Sequence, residues 1–308
     1  MKNQKVFVAG SSGLVGSALV RALQSQGFEN ILTPKRNELD LTSRSQVFDW
    51  FSKNTPDIVL LAAARVGGIG ANSTYPAEFI SENLQIQVNT LDAAVTHNTQ
   101  KLLFLGSSCI YPADAPQPMK ESYLLTGALE QTNHAYAMAK LAGIEQIKAI
   151  REQYGLPYIS VLPTNLYGPN DNFDLNTSHV IPAMIRKFHD AKINNSSSVE
   201  LWGDGSPLRE FMYVDDLADA CLFLLEHYDS SEPINIGTGE EVSIKELANT
   251  IQSIVGYQSE VIWNTDKPNG VKRKLLDISK LQSLRFTLET KLVPGLEKTY
   301  DWFNSQIS

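Results

Sequence analysis

The amino-acid sequence predicts an α/β fold: a doubly wound parallel sheet of the Rossmann type, followed by a smaller C-terminal α/β lobe that binds substrate. Two patterns predict this fold. Short apolar runs alternate with longer amphipathic segments through the first half of the chain, as in a parallel sheet with helices on both faces. A glycine-rich turn from Gly10 to Gly16 directly follows the first apolar run.

The predicted strands are apolar runs rich in β-branched and aromatic residues. They are Val6–Ala9, Ile58–Leu61, Leu102–Leu105 and Tyr158–Leu162, with a weaker run at Ile31–Leu32. The amphipathic segments between them predict helices at Leu14–Gln26, Ser45–Lys53, Pro76–His97 and His134–Tyr154. Ser43 with Gln46, and Ser243 with Glu246, have the spacing of capping boxes at helix starts.

The second half of the chain is less regular. After Leu162 prolines interrupt the pattern and the loops become long, although a further strand is predicted at Ile234–Ile236. We therefore predict a dinucleotide-binding lobe over residues 1–165, to which the chain returns near residues 210–240. Residues 166–308 are predicted to form the substrate-binding lobe.

Composition excludes several classes of protein. The chain has 308 residues, of which 43% are hydrophobic and 19% charged, as in ordinary globular proteins. Its net charge of -8 provides no basic field, so no nucleic-acid partner is expected. The apolar runs are too short for a membrane span, no signal peptide is visible, and two cysteines are too few for a disulfide scaffold. We expect a cytoplasmic enzyme with no membrane partner and no metal site.

The glycine-rich turn predicts a phosphate-binding cradle. Glycine permits a tight turn and the close approach of a pyrophosphate, and the following helix offers free N–H groups. The predicted cofactor-binding residues are Gly10, Ser11, Ser12, Gly13, Leu14, Val15 and Gly16. Where NAD-binding folds place an acidic residue, this chain has Lys35 and Arg36. A guanidinium suits a 2′-phosphate, so Arg36 favours NADP(H), unless the pair is only a solvated turn.

Three residues predict acid–base chemistry. Tyr136 and Lys140 are spaced i, i+4 on one face of a predicted helix, where an ammonium is expected to lower the pKa of a phenol. Ser107 follows the strand Leu102–Leu105, at the sheet edge where ligands bind. A hydroxyl there can hydrogen-bond a substrate carbonyl. The order of the glycine cradle, the serine and the Tyr-x-x-x-Lys pair is that of the short-chain dehydrogenase/reductase superfamily.

Longer motifs resemble the GDP-L-fucose synthase family. They cover nearly the whole chain and are Leu61–Ile69, Gly106–Pro112, Pro163–Pro169, Ser178–Pro182, Arg209–Phe211 and Arg273–Asp277. The resemblance implies epimerisation of GDP-4-keto-6-deoxy-D-mannose at C3 and C5, then reduction of the C4 ketone with NADPH. It implies a reductase triad of Ser107, Tyr136 and Lys140, with Cys109 and His179 as the base and acid of epimerisation, and a homodimer.

The resemblance also implies ligand contacts. Further cofactor contacts fall on Leu105, Gly106, Ser108, Lys140, Pro163, Thr164, Asn165, Leu166 and His179. Contacts to the GDP-sugar substrate fall on Lys187, Trp202, Arg209 and Asn269. Asn269 stands where the family usually has Asp, and Ser11–Ser12 stands where bacterial relatives often have His-Arg, so NADP preference depends more on Arg36.

Other interpretations of single residues stay open. From position alone, Cys109 is more often a small buried apolar residue, His179 a satisfied loop histidine, and Trp202 a packing residue beneath a turn. If the chain stays extended after Ser107, Cys109 points to the same side. Because free thiols have pKa values near about 8.5, Cys109 then needs a neighbouring group that favours the thiolate.

Two other functions fit the same scaffold. A nucleotide-sugar 4,6-dehydratase or 4-epimerase would recycle bound NAD, but Cys109, His179 and Arg36 argue against it. A non-catalytic NADP-binding regulator would retain the fold alone. The intact Ser107, Tyr136 and Lys140 argue against that function.

Overall fold

The computed structural model describes residues 2–267 and 269–307, apart from the side chain of Ile69. Its strands are β1 (Val6–Ala9), β2 (Ile31–Leu32), β3 (Ile58–Leu61), β4 (Lys101–Leu105), β5 (Ile159–Pro163), β6 (Asn165–Tyr167), β7 (Ser198–Trp202), β8 (Leu208–Arg209), β9 (Phe211–Tyr213), β10 (Ile234–Ile236), β11 (Val242–Ser243), β12 (Glu260–Asn264) and β13 (Arg273–Lys274). Its helices are α1 (Leu14–Ser25), α2 (Arg44–Asn54), α3 (Ile69–Thr74), α4 (Pro76–Thr96), α5 (His134–Tyr154), α6 (Val180–Ile193), α7 (Val214–His227), α8 (Ile244–Val255), α9 (Ser279–Ser283) and α10 (Leu292–Ile307).

The central sheet is parallel and doubly wound. Its spatial order is β10–β5–β4–β3–β1–β2, so the direction of winding reverses at β1. Val6 aligns with Ile58 of β3 on one side and with Ile31 of β2 on the other. The chain returns to this sheet at β10, which pairs with β5. The predicted fold class is confirmed, and ligands are expected beyond the carboxyl ends of these strands.

Helices bury both faces of this sheet. Because alternate side chains of a strand point to opposite faces, Phe7 packs with α2, α4 and α5, whereas Val8 packs with α1 and α7. Gly143 brings α5 close to β4, since a Cβ added there would lie 2.5 Å from Phe104. Glycine at this position therefore lets α5 pack closely on β4.

The remaining strands and helices form a second packed region. Strands β11, β8 and β13 form one small sheet, β12 pairs with β7, and β6 pairs with β9. Helices α6, α8 and α10 surround a separate apolar core that contains Phe188, Leu247 and Phe303. The predicted division of the chain at residue 165 stays a prediction. None of the described helices combines the length and apolar composition needed to cross a bilayer.

The two predicted capping boxes have opposite outcomes. At α8, the Ser243 hydroxyl accepts from the Glu246 amide at 3.1 Å and the Glu246 carboxylate accepts from the Ser243 amide at 3.0 Å, so this box is confirmed. At α2 the prediction is wrong. Ser43 is the N-cap but its hydroxyl makes no capping bond and lies 3.4 Å from Ser45 Oγ, while the Gln46 side chain accepts from the Asp40 amide at 3.2 Å.

Candidate active site

The glycine cradle lies where the winding of the sheet reverses. Gly10 has φ of +82°, which turns the chain sharply after β1, and the Gly13 amide donates to the Gly10 carbonyl at 3.1 Å. Helix α1 starts at Leu14 with no side-chain cap and no acidic residue in its first turn. Its N–H groups therefore face the loop without a competing carboxylate, as a bound pyrophosphate requires.

Close contacts explain why this turn needs glycine. A Cβ added at Gly16 would lie 2.0 Å from the Gly10 carbonyl oxygen, and one at Gly10 would lie 2.8 Å from Cα of Ala63. Gly13 has room, since its added Cβ would be 3.6 Å from the nearest atom. Ser11, Val15 and Leu14 are partly buried, and Ser12 is exposed. The geometry fits a dinucleotide, because bare backbone surrounds the place of a diphosphate.

Arg36 lies in the exposed turn after β2, beside the cradle. The Glu38 carboxylate accepts from the Lys35 amide at 2.8 Å and closes this turn. Hydrogen bonds from Thr42 lower the pKa of Asp40, and the Arg36 charge adds a smaller effect in the same direction. The Arg36 side chain is exposed at the end of the strand next to β1. That position suits a 2′-phosphate.

Ser107, Tyr136 and Lys140 come together at the carboxyl end of β4. The Ser107 side chain lies near enough to Tyr136 to influence the pKa of its phenol, and the Lys140 ammonium donates to the Leu105 carbonyl at 2.7 Å. The ammonium also lies 5.9 Å from the centre of the Tyr136 ring. Helix α5 positions both side chains one turn apart, so the predicted trio is adjacent in space.

Burial controls ionisation of this trio. Burial and the charge of Cys109 raise the pKa of Tyr136, against the smaller opposite effect of the Ser107 hydrogen bond. Burial also lowers the pKa of Lys140 to about 7. The expected lowering of the Tyr136 pKa by Lys140 is therefore wrong in this structure, because burial opposes both charges. A neutral phenol is the form that donates a proton to a reduced carbonyl.

Cys109 reaches the same place by a different path from the one predicted. The chain does not stay extended after Ser107 but forms a 3₁₀ turn at Ser108–Ile110, in which the Cys109 amide donates to Ser107 Oγ at 3.2 Å. Cys109 is nevertheless close enough to Tyr136 for its charge to matter. The expected extended path is wrong, and the turn is what brings the thiol beside the phenol.

A lysine from the end of the chain connects Cys109 with His179. The Lys274 ammonium lies 3.3 Å from Cys109 Sγ. His179 is the N-cap of α6, and its ring is exposed on one side. Burial by the surrounding protein, followed by the charge of Lys274, lowers the pKa of His179. Cys109, His179 and Lys274 thus form a second polar group next to Ser107, Tyr136 and Lys140.

The other predicted cofactor residues lie at the ends of β4 and β5. Gly106 donates to the Val161 carbonyl at 2.8 Å, and a Cβ there would be 2.6 Å from Leu162. Thr164 donates to the Ile236 carbonyl, which links β5 to β10. These residues line the same edge of the sheet as the cradle; the set is Leu105, Gly106, Ser108, Pro163, Thr164, Asn165 and Leu166.

The predicted substrate residues lie in the second packed region. Lys187 donates to the Glu200 carbonyl of β7 at 2.9 Å, and Trp202 at the end of that strand is 61% exposed. The Asn269 oxygen accepts from the Asp204 amide at 2.8 Å, so Asn269 fixes the turn beside Trp202. Arg209 on β8 pairs in register with Lys274 on β13. The Arg209 guanidinium donates to the Leu208 carbonyl at 2.8 Å.

Comparisons with known proteins agree with this geometry. The model of the NAD dependent epimerase/dehydratase family matches residues 6–237. GDP-L-fucose synthase 1 of Arabidopsis thaliana is 56% identical over 302 residues, which cover 98% of this chain and 94% of that protein. GDP-L-fucose synthase of Escherichia coli (strain K12) is 48% identical over 312 residues, covering 98% and 97%. The chain belongs to the GDP-L-fucose synthase family.

A solved structure extends the similarity to three dimensions. The GDP-L-fucose synthetase of Naegleria fowleri, described as bound to NADP, superposes with a TM-score of 0.93 at 26% identity and covers 100% of this chain and 96% of its own. The family resemblance predicted from the sequence motifs is confirmed. The phosphate cradle follows the carboxyl end of β1, and the Ser107 trio and the Cys109 group lie at the carboxyl end of β4; together they form the candidate site.

Sequence reasoning missed two residues of this site. Lys274 was present in the motif Arg273–Asp277 without an assigned role, and its contact with Cys109 spans 165 residues of chain. Glu210 is fully buried and accepts from the Gly239 and Leu276 amides at 2.7 and 3.0 Å. In the motif Arg209–Phe211 the Glu210 carboxylate stands next to a cation, so its neighbours in the sequence do not indicate that it is buried.

Proposed function

We propose that this protein epimerises C3 and C5 of GDP-4-keto-6-deoxy-D-mannose and then reduces the C4 ketone with NADPH, giving GDP-L-fucose. The observation that carries the proposal is the position of Ser107 between two proton-transfer groups. Its oxygen accepts from the Cys109 amide at 3.2 Å, and its side chain lies near enough to the Tyr136 phenol to oppose the rise in the pKa of that group. A reductase alone needs the phenol, whereas inversion at carbon also needs a base such as a thiolate.

Inversion uses Cys109 and His179. The C4 carbonyl acidifies the hydrogens on C3 and C5, so a thiolate at Cys109 removes a proton from carbon and leaves an enolate. Ser107 and Tyr136 donate hydrogen bonds to the enolate oxygen. His179 returns a proton to the opposite face of the carbon and takes one back from solvent through its exposed side.

Reduction uses Tyr136 as the acid. Its raised pKa keeps the phenol protonated, so it delivers a proton to the C4 oxygen as that atom becomes an alkoxide. The Lys140 ammonium, anchored to the Leu105 carbonyl, supplies positive charge beneath the ring. Ser107 orients the carbonyl oxygen through its hydroxyl.

The cradle residues hold NADP(H), which when bound supplies the hydride for C4. Gly10, Gly13 and Gly16 leave space for the diphosphate, and Arg36 pairs with the 2′-phosphate. Arg209 and Lys187 pair with the diphosphate of the GDP-sugar, and the exposed Trp202 ring covers its base. Together these contacts hold the ketone at the junction of the two packed regions.

The homodimer and the cytoplasmic location belong to the same proposal. Helices α4 and α5 pack side by side, and an exposed stripe runs along α5 through Met138, Ala142, Glu145 and Ala149. A stripe of this kind suits an isologous contact between two copies. Both cysteines are free, which suits a reducing compartment. Light scattering of the purified protein will distinguish a dimer from a monomer.

The test mixes the protein with GDP-4-keto-6-deoxy-D-mannose and NADPH, follows NADPH absorbance and identifies the sugar by NMR. We expect one NADPH consumed per GDP-L-fucose formed. Reduction with retained C3 and C5 configuration would instead indicate a plain 4-ketoreductase. Bound but unconsumed NADPH would favour a dehydratase, a 4-epimerase or a regulator.

A further inference from the structure

Lys274 differs from the other cations near the site in the atom that it faces. Its ammonium donates to Cys109 Sγ at 3.3 Å. The neighbouring Arg273 points to the opposite side of the strand and pairs with Glu241 at 2.7 Å, as alternation along β13 requires. Among the described ion pairs, Arg273 has a carboxylate partner and Lys274 has the sulfur instead.

The backbone around Lys274 is held in place from two sides. Strand β13 pairs with β8, and the Leu276 amide donates to the buried Glu210 carboxylate at 3.0 Å. On the other side, the Leu275 amide donates to Gln117 Oε1 at 2.8 Å and the Met119 amide to the Leu275 carbonyl at 2.8 Å. These bonds fix the backbone of the segment against the loop that follows Cys109, which keeps the Lys274 side chain within reach of the sulfur.

Several charged or titratable groups surround the thiol. Tyr136 faces it from α5 and Lys274 from β13. The wider set around Lys274 and Tyr136 is His179 at the start of α6, Lys140 on α5, Arg209 on β8 and the buried Glu210 after β8. Of these, Lys274 is the one with a hydrogen bond to the sulfur, and an adjacent ammonium favours a thiolate over a thiol.

We infer that Lys274 is a positioning residue for inversion: its ammonium holds Cys109 in the thiolate form and aims the sulfur at the sugar carbon. This inference rests on the proposed function for its role in turnover. When Cys109 takes a proton from carbon, the ammonium is left without a counter-charge, so the lysine also favours return of the thiolate after each proton transfer.

The test measures thiol reactivity directly and needs no substrate. Cys221 is fully buried, so iodoacetamide labelling of the native protein reports on Cys109. Lys274→Met is expected to slow labelling at pH 7 about tenfold and to recover the wild-type rate at high pH, because the thiolate then forms without help. Lys274→Arg should retain most of the wild-type rate. Lys272→Met, an exposed lysine two residues away, is the matched control and should behave as wild type.

Turnover then separates this inference from the proposed function. With GDP-4-keto-6-deoxy-D-mannose, Lys274→Met should lower kcat for inversion about tenfold with a smaller change in KM. An unchanged labelling profile in Lys274→Met would overturn the inference. So would a rise in KM alone, which would mean that Lys274 binds the substrate diphosphate. If wild-type protein consumes no NADPH, the proposed function fails while the labelling result still decides the role of Lys274.

Discussion

The reductive trio and the inversion group occupy the same site but are built in different ways. Ser107 directly follows β4, and Tyr136 and Lys140 lie on α5, which packs on β4. Cys109, His179 and Lys274 come from a 3₁₀ turn, a helix N-cap and a strand near the end of the chain. The first group follows from local spacing, whereas the second depends on how the second packed region closes on the first.

This difference predicts that the two groups fail separately. Changes in the trio should stop reduction and leave proton exchange at carbon partly intact. Changes in the inversion group should leave reduction possible and alter the stereochemistry.

The largest effect is expected from Tyr136→Phe. Loss of the proton donor should lower the rate of NADPH oxidation about 10³-fold, because the C4 alkoxide is then formed without an acid. Tyr154→Phe is the matched control, since Tyr154 lies on the same helix and is 54% exposed at its far end. Absorbance at saturating substrate gives both rates. Oxidation in Tyr136→Phe within a few fold of the control would remove Tyr136 from the mechanism.

Cys109→Ser should lower the rate of inversion about 10²-fold, while NADPH oxidation continues at a reduced rate. A hydroxyl at this position does not ionise near neutral pH, so carbon keeps its protons. NMR should then show a reduced sugar with the starting C3 and C5 configuration. Cys221→Ala is the control, because that buried thiol lies in the core far from the site and its removal should leave the product unchanged. GDP-L-fucose from Cys109→Ser at the wild-type rate would contradict the role of the thiol.

Gly16→Ala tests the cradle that both groups share. The added methyl would lie 2.0 Å from the Gly10 carbonyl, so the turn must shift and the Kd for NADPH should rise at least about tenfold. Gly13→Ala is the comparison, since the same atom there has 3.6 Å of clearance. Isothermal titration calorimetry with NADPH measures the Kd of both variants. Equal affinities would mean that the close contact does not determine cofactor binding.

The sequence predicted the trio well and the inversion group poorly. Strand β1 and helix α5 have the predicted bounds, because apolar runs and i, i+4 spacing are local signals. The predicted extended path from Ser107 to Cys109 was wrong, because a 3₁₀ turn leaves no periodic pattern in the sequence. The predicted lowering of the Tyr136 pKa was wrong for a related reason, because burial depends on packing across the whole site. Lys274 needs the register of β13 with β8, which no local pattern specifies.

Proton uptake when the cofactor binds should distinguish Lys140 from Lys274. Burial lowers its pKa to about 7, so at pH 8 the side chain is mostly neutral before ligand binds. A bound polyanion favours the ammonium, so NADP⁺ binding at pH 8 should take up a fraction of a proton. Uptake should shrink below pH 7, where the ammonium is already present. Titration calorimetry in two buffers of different ionisation enthalpy measures it. If Lys140→Met takes up as many protons as wild type, the uptake belongs to another group.

The smallest effect is expected far from the site. Ser243→Ala removes the confirmed capping box of α8 and should lower Tm by about 2 °C. Its NADPH oxidation rate should equal that of wild type, because α8 contributes to the second core rather than to either catalytic group. Ser43→Ala at the start of α2 should change Tm less, since that side chain makes no capping bond. Equal losses of Tm would contradict the difference between the two caps.

The most direct test of two separable groups is proton exchange without reductant. Wild-type protein, NADP⁺ and GDP-4-keto-6-deoxy-D-mannose are mixed in D₂O, and the sugar is followed by NMR. We predict that the C3 and C5 proton signals disappear while C4 stays a ketone, and that Cys109→Ser and Lys274→Met slow this loss. Retention of both signals until NADPH is added would mean that inversion depends on reduction, and the account of two groups in one site would be wrong.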